Sequence, residues 1–63
     1  MRKALTEYMK VTDLTQAALA KRIGVNPSHL NHWINGSRDP SVQNLKLIWQ
    51  KTGISLEKLV EDL

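Results

Sequence analysis

Apolar residues in this chain recur every three or four positions, with no period-2 run, so the pattern predicts helices and no strands. Leu19 and Ile23 stand four apart with small Ala20 between them, and Gly24 follows directly. Val25 comes next, and Leu30 and Trp33 begin a second apolar stripe three apart. A small residue on the first helix lets a second approach closely, and glycine supplies the positive φ of a sharp turn. Leu5 and Tyr8 form a stripe before this pair of helices. Val42, Leu45, Ile48 and Trp49 form one after it, and Leu59 and Val60 a last one. All of these are expected to face inward, including both tryptophans.

The ends of the helices are marked as clearly as their faces. Gly24, Gly36 and Gly53 fall where stripes stop. Thr15, Asn26 and Ser55 are N-cap candidates, able to accept from backbone N–H groups that a helix start leaves unpaired. An apolar residue precedes each, and another follows four positions after the cap: Leu14 with Leu19, Val25 with Leu30, Ile54 with Leu59. That is the spacing of a hydrophobic staple. Pro27 sits in the first turn after Asn26, where its missing N–H costs nothing. The expected helices are Arg2–Lys10, Gln16–Ile23, Pro27–Asn35, Val42–Lys51 and Leu56–Asp62, an all-α chain of five short helices.

Size and composition narrow the options. A chain of 63 residues makes one small domain with a marginal core, here residues 1–63. It has no cysteine, so neither a disulfide nor a thiolate metal site staples it, which fits a cytosolic setting. No apolar run has the length of a membrane span or signal-peptide core. The net charge of +3 hides an asymmetry. Residues 1–54 carry eight Lys and Arg against three acids, and residues 55–63 carry one Lys against three acids. Basic charge therefore lies with the central helices and acidic charge at the C-terminus.

Gln16–Asn35, QAALAKRIGVNPSHLNHWIN, has the pattern of a helix-turn-helix. Together with HLNHWINGSRDPSVQNL and TGISLEKLV it resembles the lambda-repressor/Cro family over nearly the whole chain, from about Leu5 to about Leu63. The resemblance implies a compact five-helix domain that binds double-stranded DNA as a transcriptional regulator, most often a repressor. The helix opened by Gln16 would cross the backbone, and the helix after Gly24 would read the major groove. Advancing about 100° per residue from Leu30 sends Trp33 and Ile34 inward, and Ser28, Asn31, His32 and Asn35 outward. Pro27 and His29 lie on the flanks. An outer face of Ser, Asn and His without an acid suits base edges. By family position, readout falls chiefly to Ser28 and His32, with Pro27 and His29 touching base edges or thymine methyls, and Asn31 belongs to the same face. Where Pro27 stands the family usually has a long polar residue, so the operator cannot be carried over.

Phosphate contacts are expected from Thr15 and Gln16, at a helix start whose free N–H groups favour an anion. In relatives a Gln at this place also braces the recognition helix. Asn35 matches a phosphate-contacting position of the family, and Arg38 and Ser41 in the next loop are further candidates. Lys21 and Arg22 lie away from the helix start and read as solvated charges. Many relatives bury an Arg from the end of helix 1 against a Glu on the recognition helix. Met9 and Ile34 stand at those places, an apolar pair that can replace an ion pair without loss.

Rival chemistries are poorer fits. His29 and His32 are three apart but lack further ligands, so no metal or other cofactor is expected. No nucleophile and base are placed for catalysis, so no enzyme is expected. Antitoxins, controllers of restriction systems and protein-interaction modules share this fold and remain alternatives. The expected partners are an operator in double-stranded DNA and a second copy of the chain, in the cytoplasm of a bacterial or phage-infected cell. Neither a membrane nor a small-molecule substrate is expected. The homodimer is expected to be weak or DNA-induced, through Leu47, which lies about 200° around its helix from Leu45, and through Leu56 and Leu63. Family precedent places the interface near the C-terminal helix.

Overall fold

Short-range capping divides the chain into five helices in a computed structural model that describes residues 2–63. They are α1 (Arg2–Thr12), α2 (Gln16–Ile23), α3 (Pro27–Asn35), α4 (Val42–Thr52) and α5 (Leu56–Glu61). The three expected caps are present. Thr15 Oγ1 accepts from the Ala18 N–H, Asn26 Oδ1 from Ser28 and Ser55 Oγ from Lys58. Ser41 is a fourth, accepting from Asn44 at 3.2 Å at the head of α4. At the other end of α2, Gly24 adopts φ 87°, and the Gly24 and Val25 N–H groups both donate to the Ala20 carbonyl. The chain thereby reverses in two residues.

Three boundaries differ from the sequence expectation. Helix α1 runs on to Thr12, whose hydroxyl donates to the Tyr8 carbonyl at 2.6 Å, and Asp13 then turns the chain at φ 58°. The Leu14 N–H closes that turn on Met9 O at 3.0 Å. Asp13 fills the left-handed position that glycine usually takes. Helix α4 extends one residue to Thr52, which donates to Ile48 O. Helix α5 stops at Glu61, with Asp62 as its cap.

Every helix sends at least one fully buried side chain to a common core: Leu5, Leu19, Ile23, Leu30, Ile48 and Leu59. Burial of each such side chain contributes about 1.5–3 kcal/mol. Ala4, Ala20, Trp33 and Leu45 complete the core. The staple residues Leu14, Val25 and Ile54 pack against it, as do Met9 and Ile34, both half-buried.

Other positions correct the periodicity reading. Val42, Trp49 and Val60 were expected inside and are 69%, 44% and 56% exposed. Leu47 and Leu56 were expected outside and instead are half-buried against the core. Helix α4 packs against both α2 and α5. Its covered arc is therefore set by two neighbours rather than by one stripe, and the large Trp49 ring is left half outside.

The two ends of the chain are joined. The Ala4 N–H, one of the first-turn donors that α1 cannot satisfy itself, donates to Asp62 Oδ2 at 3.0 Å. The carboxylate also lies at the positive end of the α1 dipole. The nearby Lys58–Glu7 pair, 3.7 Å apart and largely exposed, adds little. Asp62→Ala should cost about 1–2 kcal/mol. It should lower the melting temperature by roughly 8–15 °C for a domain of this size. Exposed Glu61→Ala is the control. Equal melting of the Asp62 variant and wild type would mean that water replaces the carboxylate without loss.

Candidate nucleic-acid interface

The α2–α3 turn sets which face of α3 meets solvent. Leu30 and Trp33 are buried and Ile34 is half-buried, so the opposite side of the helix is outward. Pro27, Ser28, His29, Asn31 and Asn35 are exposed there, and His32 is half-buried. Between Asp13 and Asp39 the chain contains no acidic residue. Residues 14–38, from the start of α2 through the turn after α3, therefore carry Lys21, Arg22 and Arg38 with no carboxylate among them.

Several outward side chains are held in place. Gln16 Nε2 donates to Asn31 Oδ1 at 3.1 Å, tying the start of α2 to the middle of α3. The brace implied by the family resemblance is present, with Asn31 as the residue braced. Thr15 and Ser41 each cap a helix through the hydroxyl oxygen, which leaves the proton of each free to donate outward. A donor of that kind suits a phosphate oxygen. Arg22 Nη1 donates to Tyr8 Oη at 2.9 Å, so this cation is turned toward α1.

The connection after α3 contains a residue that sequence reasoning missed. Ser37 Oγ lies 2.8 Å from His32 Nδ1 and accepts no role from periodicity, since it falls outside every helix. Its own N–H donates to Asn35 Oδ1 at 3.0 Å, and the Arg38 N–H reaches back to His32 O at 3.3 Å. His32, Asn35, Ser37 and Arg38 are thus knit into one turn. With Nδ1 engaged, Nε2 is the imidazole nitrogen left to face a ligand. The only sequence signal for this turn was the short polar run Asn35–Arg38 around Gly36.

The sites expected from sequence are therefore placed as follows. Gln16 and Asn31 meet directly, and His32, Asn35 and Arg38 share the α3–α4 turn. Ser28 is bound to its cap, Asn26, through both its N–H and its hydroxyl. Thr15 and Ser41 stand at separate helix starts. Among the described residues no helix is long and apolar enough to cross a membrane. A comparison with protein families matches the helix-turn-helix model over residues 7–59, which spans all of α2, α3 and α4. No curated protein and no solved structure matches the chain.

Proposed function

The chain belongs to the helix-turn-helix family of lambda-repressor/Cro type, whose members are DNA-binding transcription regulators rather than enzymes, and from that premise we propose that it is a sequence-specific cytoplasmic repressor. It binds operator half-sites in double-stranded DNA as a dimer, with α3 in the major groove. The observation that carries this reading is the outward face of α3, polar, uncharged by any acid and braced from α2 by Gln16. Base contacts come from Pro27, Ser28, His29, Asn31 and His32. Phosphate contacts come from Thr15, Gln16, Asn35, Arg38 and Ser41, and these set register without reading sequence.

The short reach of α3 favours a second subunit. Nine residues of α3 span about 13 Å at 1.5 Å per residue. That covers about four base pairs at 3.4 Å each. A four-base-pair site is too common to specify a promoter, and two half-sites one helical turn apart solve the problem. Of the expected interface residues Leu63 is 53% exposed, whereas Leu47 and Leu56 have most of their surface committed to the core. Val60, three residues before Leu63, and Trp49 offer the apolar surface that Leu47 and Leu56 do not. So small a surface makes a weak dimer in solution, completed on DNA.

Selection of bound duplexes from random DNA, followed by two substitutions, tests the assignment of roles. His32→Ala should cost about 1–3 kcal/mol on the selected operator and relax discrimination at one position per half-site. Arg38→Ala should weaken all sequences alike. Discrimination that survives intact in His32→Ala would remove His32 from the base-reading set.

A further inference from the structure

Ser28 is an exposed residue in the first turn of α3, and its hydrogen bonding fixes what it can offer a base. Asn26 Oδ1 receives two bonds from it, from the backbone N–H at 2.9 Å and from the hydroxyl at 2.7 Å. A backbone amide can only donate, so the Asn26 atom at that place must be the carbonyl oxygen. The hydroxyl has one proton, and at 2.7 Å from that oxygen it must donate it. What remains on Ser28 Oγ is lone pairs. An isolated serine can turn to suit either a donor or an acceptor, but this one is committed.

Two other hydroxyls of the interface are committed in the opposite sense. Thr15 Oγ1 accepts from Ala18 at 3.1 Å and Ser41 Oγ from Asn44 at 3.2 Å, so each keeps its proton. The two hydroxyls assigned to phosphates, which only accept, are donors. The one assigned to a base is an acceptor.

In the major groove adenine N6 and cytosine N4 donate, while guanine O6 and thymine O4 accept from nearly the same place. We propose that Ser28 is a specificity-determining residue that selects an amino-bearing base, adenine or cytosine, on the strand it faces. It rejects guanine and thymine there, because their oxygen would meet the Ser28 lone pairs with no proton between them. The inference rests on the DNA-binding reading and adds a chemical class to one position of the half-site.

The test is selection from random duplexes with the full chain as wild type, Ser28→Ala and Asn26→Gly. Wild type should yield one position per half-site at which adenine and cytosine are both enriched over guanine and thymine, by roughly tenfold. Ser28→Ala should flatten that position and no other. Glycine is a tolerated N-cap, so Asn26→Gly should stay folded, as a thermal melt would verify. It releases the Ser28 proton, and the same position should then admit guanine and thymine. A Ser28-dependent position that selects guanine or thymine in wild type overturns the proposal. So does a motif that Ser28→Ala leaves unchanged, or an adenine/cytosine preference that persists in folded Asn26→Gly. If wild type enriches no sequence at all, the DNA-binding reading fails, a result distinct from any of these.

Discussion

Trp33→Ala should leave the chain largely unfolded at room temperature, whereas Trp49→Ala should leave it folded with a modestly lower melting temperature. Trp33 is 4% exposed on α3 and belongs to the core, while Trp49 is 44% exposed on α4. Truncating a buried tryptophan costs about 3–5 kcal/mol, through lost burial and the cavity left behind. A single core in a chain this small supplies only about 3–5 kcal/mol of net stability in all. The two quantities are equal within their spread, so the Trp33 variant has nothing left. Truncating Trp49 removes a ring already half in water, with an expected cost of about 1 kcal/mol. Far-ultraviolet circular dichroism distinguishes the outcomes. Fluorescence adds a second readout, because in Trp49→Ala the remaining Trp33 should emit from a dry environment and shift red on unfolding. Equal losses in the two variants would show that Trp49 is a core residue, as the periodicity alone implied.

Binding to the selected operator should fall steeply with salt. If Arg38 and two to four of the other Lys and Arg among residues 1–54 of each subunit meet phosphates, a dimer neutralises roughly six to ten, and the log–log slope lies near −5 to −9. Affinity should then drop by about 10³ or more between 50 and 200 mM salt. The sign follows from counterion release: every phosphate met by a cation frees a condensed ion, and added salt opposes that release. A slope of half that size on a full operator would indicate one engaged subunit and would remove the dimer. A slope near zero would remove the DNA reading altogether. Arg38→Ala should make the slope shallower by about one for each phosphate lost.

Much of this molecule is written in short-range chemistry. The caps Thr15, Asn26 and Ser55, the staples that precede them and the glycine turn at Gly24 each act within five residues. A sequence window contains all the groups involved, so the positions of α2 and α3 were legible, and with them the outward set from Ser28 to Asn35. Two local signals escaped: the Ser41 cap of α4, and Asp13, because an aspartate in the left-handed region is less common than the glycine it replaces.

Contacts between distant residues were not legible, and neither was the balance of cover on a helix with two neighbours. Nothing near Ala4 announces that its N–H will be met by Asp62, 58 positions on. Nothing in the stripe of α4 says that Leu47 will be covered and Trp49 left half in water, since α2 and α5 decide that jointly. The polarity of the interface lies between these cases. The residue types on α3 come from the sequence, but the pairing of Gln16 with Asn31 and of His32 with Ser37 required the helices and turn to be in place. Periodicity assigns a side chain to a face. Only packing decides what covers that face, and only the completed hydrogen bonds decide whether a polar atom there can still donate or accept.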